Sequence, residues 1–239
     1  TQGIELDFVP VAAHTRQCTT LLDQSTGAHT ELVEESQPVN PTDYEALLHV
    51  IQRRLPACRS VVMCGTLTPG GPVDFYCQVA RLANDAGALS VVDAQGPALL
   101  EALKARPGLV KPNRSELAAT LGRELKDEAA VLAAMCDLCE RGAQRVVVTS
   151  GRGPTLAVDG RSGWRIQAPT IEAVNPIGSG DALAAGLVWR LLGGENLGEA
   201  SRWAAAVGAA NALTLMAGEV HRQDVERLVK LVQADAFLA

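Results

Sequence analysis

The sequence predicts an α/β fold: a mainly parallel sheet with helices on both faces, plus a small β-strand lid. Three observations predict it. From residue 42 onward, short apolar runs alternate with stretches of helical character, the pattern of a parallel sheet. Hydrophobic residues make up 47% of the chain while aromatics make up only 3%. Such a composition suits helices stacked on a buried sheet. Polar or glycine-bearing loops also recur where apolar runs end, at 65–72, 93–96, 111–116, 149–154 and 175–181. In open α/β sheets these strand ends are where ligands bind.

Residues 1–40 differ from the remainder and are expected to form a partial β lid with connecting strands. Ile4–Val9, Cys18–Leu22 and Thr30–Glu34 read as short strands, with a turn over Asp23–Gly27, and Pro38–Pro41 ends the unit. Residues 41–239 are expected to form one α/β core. A helix capped by Thr42 or Asp43 runs to about Arg54. Ser60–Cys64 is a strand, followed by the loop 65–72 and a helix over about Val73–Ala86. Leu89–Asp93 is a strand and Pro97–Ala105 a helix. Leu109–Lys111 ends a strand at Pro112, and helices follow near Arg114–Leu121 and Asp127–Arg141. Arg145–Thr149 is a strand that breaks at Ser150–Pro154. Thr155–Val158 and Trp164–Ala168 pair as a hairpin, and the last helices are expected near Ala182–Leu192, Leu197–Leu215 and Gln223–Asp235.

The 239 residues carry a net charge of −6 with scattered basic residues, so no nucleic-acid footprint is visible. No apolar run approaches a membrane span, and Thr1–Pro10 shows no signal peptide. A cytoplasmic protein is expected. Six cysteines follow no regular framework and read as reduced, buried thiols. Cys136 and Cys139 have CxxC spacing, but they lie in a helical pattern without a second pair to complete a zinc site.

The chemistry centres on Asn175-Pro176-Ile177-Gly178-Ser179-Gly180-Asp181, which leads into an apolar helix. Glycines let the backbone approach a ligand. The first helical N–H groups, which lack intrahelical partners, form an anion site with the helix dipole. Asp181 is there either a cap or a base. Two further strand ends keep it company: Lys111-Pro112-Asn113-Arg114-Ser115-Glu116 supplies a cation, an amide and a carboxylate, and Thr149-Ser150-Gly151-Arg152-Gly153 supplies a polar turn.

With these motifs and Cys64-Gly65-Thr66-Leu67-Thr68-Pro69-Gly70, the sequence resembles the PfkB, or ribokinase-like, carbohydrate kinases over nearly its whole length. The branch it is most similar to contains 1-phosphofructokinase and tagatose-6-phosphate kinase. The resemblance implies a Rossmann-like, ribokinase-like core and ATP-dependent phosphorylation of a hexose phosphate. It implies Asp181 as the base toward the sugar hydroxyl, and the Gly178, Ser179 and Gly180 backbone as the anion hole. Lys111, Thr149, Ser150, Gly151, Gly153 and Gly180 would then face the nucleotide. Asn113 would do so as well, and would organise Mg²⁺ with Glu116 through water in the manner of magnesium sites.

Asn211, in the small-residue stretch Ala205–Asn211, would reach the adenine, with close helix packing as the alternative. On the substrate side, Arg16 would grip the sugar phosphate through its planar fork and Thr66 would take the place of a substrate-side serine. The implied partners are ATP and a small sugar phosphate, with a homodimer through the β lid. A non-catalytic nucleotide-binding relative and a nucleoside or other small-molecule kinase are the alternatives.

Two departures stand out. The family's N-terminal segment, with its sugar-binding aspartate and Gly-Gly element, would lie upstream of Thr1. The glycine motif also opens on Asn175-Pro176 where many members have Asp-Thr, which weakens the case for a neighbouring monovalent-cation site.

Overall fold

The computed structural model describes residues 3–23, 25–26, 29–160 and 162–238. Two antiparallel strands come first, β1 (Cys18–Leu22) and β2 (His29–Val33), and form a sheet of their own. The larger unit follows in the order α1 (Pro41–Arg54), β3 (Ser60–Cys64), α2 (Phe75–Asp85), β4 (Leu89–Asp93), α3 (Gly96–Ala102), β5 (Leu109–Val110), α4 (Arg114–Leu121), α5 (Glu128–Glu140) and β6 (Val146–Val148). It continues with β7 (Thr155–Val158), β8 (Ser162–Gln167), α6 (Ser179–Leu192), α7 (Leu197–Asn211), α8 (Arg222–Leu228) and β9 (Gln233–Leu238).

Strands β3 to β9 form one seven-stranded sheet in chain order. Pairing is parallel from β3 through β6 and antiparallel from β6 through β9. The change of direction follows from the connections. Helices link the first four strands, whereas β6, β7 and β8 are joined by short turns, which suit antiparallel neighbours.

Alternation along the strands sends side chains to two cores. Val92, Val110, Val146 and Val148 face the layer of α2–α5. Val91, Leu109, Val147 and Ala157 face α6 and α7, against Leu183, Leu187 and Ala204. Helices α5 and α7 begin at side-chain caps. Asp127 accepts the Ala130 N–H at 2.8 Å, and Asn196 accepts that of Glu199 at 2.9 Å. Each such cap stabilises by about 1 kcal/mol.

Several expectations are corrected. Ile4–Val9 forms no strand, and its Ile4, Leu6 and Phe8 are exposed. Asp7 instead pairs with Arg54 of α1, which holds the Asp7 carboxyl below its usual range by hydrogen bond and charge. Of the expected turn at 23–27, Gln24 and Gly27 lie outside the described residues. Its Asp23 accepts from the Ser25 and Thr26 hydroxyls, which lower its pKa to about 2. Helix α1 is preceded by Asn40, not Thr42 or Asp43. Pro41 occupies the first turn, and the Asp43 carboxylate accepts the Asn40 N–H at 3.2 Å.

Helix α7 stops at Asn211, not Leu215, and α8 stops at Leu228. The expected helix to Asp235 gives way to strand β9, whose backbone pairs with β8 from Gln233 opposite Gln167 onward. Phe237 packs on Gly163, where a Cβ would lie 2.1 Å from the ring. Tertiary pairing thus overrides the local helix propensity of Gln233-Ala234-Asp235-Ala236. The cysteines carry no disulfide, but Cys18, Cys58 and Cys64 are exposed rather than buried. Among the described residues no helix is long and apolar enough to cross a membrane.

Candidate active site

Helix α6 starts at Ser179, earlier than the sequence suggests, with Gly178 as its N-cap at φ 80°. A side chain at Gly178 would be strained at that φ and would also meet the Gly218 N at 2.8 Å. Asp181 occupies the first turn. No side-chain cap bond closes this helix, and among the described residues the exposed Asp181 carboxylate has no hydrogen-bond or ion-pair partner. The choice between cap and unattached carboxylate is therefore decided for the latter.

The surroundings of Asp181 come from three strand ends. Cys64 closes β3, Asp93 closes β4, and Lys111 follows β5. Ligand atoms of Cys64, Asp93 and Asp181 lie within 4.8 Å of one another. The Lys111 Nζ donates to Asp93 Oδ2 at 2.8 Å, with both side chains largely buried. The same ammonium lies 3.8 Å from where a Cβ on Gly180 would stand, so it sits against the first turn of α6.

Asp93 was not among the residues singled out from sequence. Its signal was a carboxylate ending the buried run Leu89-Ser90-Val91-Val92. Burial pushes its pKa up, Lys111 opposes that, and the charges of Glu116 and Asp181 add to it. Burial, with Asp93 and Asp181, likewise raises the Cys64 thiol.

Asn113 and Glu116 make a reciprocal capping box at the start of α4. Asn113 Oδ1 accepts the Glu116 N–H at 2.9 Å, and Glu116 Oε2 accepts the Asn113 N–H at 2.8 Å. Geometry thus gives both residues a structural task, and among the described residues Glu116 Oε1 has no hydrogen bond. The Thr149 turn lies alongside: Asn113 and Thr149 form a parallel bridge, and the Arg114 N–H donates to Thr149 O at 2.9 Å. Ser150 accepts the Gly153 N–H at 2.9 Å, and Gly151 turns with φ 58°. The loops at 111–116 and 149–153 are therefore one continuous surface.

Asn211 corrects an expectation. It is fully buried at 0% exposure. Its Nδ2 donates to Ile177 O at 2.8 Å and to Ser179 Oγ at 3.2 Å, and its Oδ1 accepts the Gly218 N–H at 2.7 Å. With both ends of the amide used, Asn211 fixes the glycine loop and presents nothing to a base. Asn175 supports the same loop, donating to Leu215 O at 2.9 Å and accepting the Ile177 N–H at 3.1 Å. The small residues of α7 serve close packing. A Cβ on Gly208 would lie 2.9 Å from Ser179 O, and one on Gly186 would lie 2.9 Å from the Ala204 Cα.

Thr66 is exposed on the loop after β3, two residues from Cys64. Arg16 is exposed just before β1, and among the described residues no hydrogen bond or ion pair joins it to the cluster. The CxxC pair lies within α5, where burial lifts the Cys139 thiol to about 11, away from the thiolate needed for redox or metal work.

A sheet with acid, lysine and glycine loops gathered at its strand ends, against a helix N-terminus, is the arrangement in which open α/β folds bind anionic ligands. The chain belongs to the pfkB family of carbohydrate kinases, whose profile matches residues 1–221. Among solved structures it is similar to phosphofructokinase-2 from Escherichia coli in complex with potassium, at 26% identity and a TM-score of 0.81 over 92% of this chain and 71% of that one. A possible 1-phosphofructokinase from Thermotoga maritima shares the fold at 22% identity and a TM-score of 0.86, over 97% and 73% of the two chains. Ribokinase of Arabidopsis thaliana complexed with ribose and ATP shares it at 20% identity and a TM-score of 0.70, over 92% and 70%.

Proposed function

We propose that the protein transfers the γ-phosphoryl group of ATP to a hydroxyl of a hexose phosphate, as a cytoplasmic kinase of the phosphofructokinase type. The observation that carries this reading is the unattached Asp181 carboxylate in the first turn of α6, beside a helix start that offers unpaired N–H donors. Asp181 takes the proton of the attacking hydroxyl. That oxygen forms the new bond to phosphorus as the bond to the ADP oxygen breaks. Phosphoryl transfer asks mainly for positioning and charge stabilisation. The N–H groups of Gly178, Gly180 and Asp181 and the Lys111 ammonium are suited to supply both, whereas the Ser179 N–H is taken by Pro176 O at 3.2 Å and drops out of the expected anion hole.

The oxygens near Lys111 come from Asp93, Asp181 and Glu116, with the Cys64 Sγ beside them, so acids outnumber bases. That set fits Mg²⁺ held through water. When bound, the ion neutralises phosphate charge. Lys111, Asn113 and the 149–153 turn hold the nucleotide, and Thr66 and Arg16 contact the sugar phosphate. Residues 1–40 act as the lid and 41–239 as the core, with closure keeping water out. The exposed Leu21 and Leu32, which share one face of the hairpin, give a second copy an apolar face for dimerisation. Phosphofructokinase-2 from Escherichia coli has been crystallised with fructose-6-phosphate, which supports a sugar phosphate as acceptor.

The test is Asp181→Asn, assayed by ADP release with fructose 6-phosphate, fructose 1-phosphate and tagatose 6-phosphate. Turnover should fall by at least about 100-fold, the scale of a lost general base, with ATP affinity kept. Near-normal turnover in the variant would remove Asp181 from the chemistry.

A further inference from the structure

The chain has two tyrosines, and both spend their hydroxyls on one loop. Tyr44 reaches it from α1. Its Oη accepts the Thr68 N–H at 3.1 Å and bonds Thr68 Oγ1 at 2.7 Å. Tyr76 reaches it from α2, donating to Cys64 O at 3.2 Å and Gly65 O at 3.1 Å. Phe75 packs edge-on against Tyr44, with ring centroids 4.9 Å apart, and stands 6.1 Å from the Tyr76 ring. All three rings are buried.

Apolar packing alone would be met by three phenylalanines. The hydroxyls add something that packing does not need, since a buried phenol without a partner is costly. Here every partner is an atom of the Cys64–Gly71 segment. Beyond these bonds, among the described residues, Leu67 of this segment packs against the core and few polar ties remain. Gly65 and Gly70 have φ of 90° and 76°. Its own backbone bonds are Gly65 N–H to Asp93 O and Gly71 N–H to Thr68 O, both 2.9 Å. The fit is close at its far end, where a Cβ on Gly71 would lie 2.4 Å from the Tyr44 hydroxyl.

We infer that Tyr44 and Tyr76 are positioning residues that clamp the Gly65–Gly71 loop, and so set acceptor binding without contributing to nucleotide binding. The inference rests on the kinase reading above. The direction follows from layout. The clamped loop begins at Cys64, whose Sγ converges with the Asp181 carboxylate. The nucleotide-side turns at 111–116 and 149–153 are joined to each other instead. Burial also pushes the Tyr76 pKa up to about 12, so its hydroxyl stays a donor at any working pH.

The experiment uses Tyr44→Phe and Tyr76→Phe, which keep the rings and remove only the oxygens. Amide hydrogen exchange is followed at 65–71 and at 149–153, and KM is measured separately for ATP and for the three sugar phosphates. Exchange should quicken at 65–71 and stay unchanged at 149–153. The acceptor KM should rise about tenfold, the equivalent of one lost hydrogen bond, while the ATP KM stays within about twofold. Unchanged exchange at 65–71 overturns the clamp. So does an equal rise of both KM values, which a merely structural role would give. Should the wild type transfer phosphoryl to none of the sugar phosphates, the kinase reading fails by itself, and the exchange data still decide whether the loop is clamped.

Discussion

Replacing Asn211 by leucine separates two accounts of one residue. The side chain is buried, and its three hydrogen bonds, to Ile177 O, Ser179 Oγ and Gly218 N–H, span 2.7–3.2 Å. Leucine has the same branching and number of heavy atoms but is bulkier, so no cavity opens. At about 1 kcal/mol for each net hydrogen bond lost, stability should fall by roughly 2–3 kcal/mol. The exposed Gly218 N–H can turn to water, which keeps the loss toward the lower end. The glycine loop would then hold its donors less firmly at the point where charge develops. A single misplaced donor of this kind costs about 100-fold in kcat.

The assay is urea unfolding together with steady-state kinetics on ATP and GTP. Loop positioning requires a lower unfolding midpoint, a lower kcat and an unchanged preference for ATP over GTP. A contact to the base requires the reverse: normal stability, normal kcat and a lost preference for ATP. That second pattern would refute the argument from burial.

Three further predictions follow from the same geometry. Lys111→Met leaves the buried Asp93 carboxylate unpaired and should cost about 3–5 kcal/mol. The double variant with Asp93→Asn should recover much of that in a thermal or urea unfolding cycle. Tyr76 should release its proton near pH 12 in an ultraviolet phenolate titration. Because its folded pKa lies above the unfolded value, the native state keeps the proton longer, so stability should fall as pH rises from about 10 toward 12. Tyr76→Phe should abolish that phase. Gly178→Ala should destabilise by about 1–3 kcal/mol through its positive φ and its approach to Gly218, and circular-dichroism melting would measure it.

Local chemistry determined much of this protein. The strands Ser60–Cys64 and Leu89–Asp93 and the helix Arg114–Leu121 were legible to the residue, because apolar runs bounded by turn formers and capping residues act within a few positions. The motif at 175–181 was legible as an anion site for the same reason. Partners distant in sequence were not legible. Asp93 gained meaning only when Lys111 folded against it, and Asn211 changed from a base contact to a loop brace once its neighbours at 177 and 218 were placed. The final strand depended on β8 offering an edge. The tyrosine clamp joins residues 24 and 11–12 positions apart, with no periodic signal. A sequence states each residue's preference, whereas burial and hydrogen-bond satisfaction are properties of the assembled neighbourhood, and only the tertiary structure decides them.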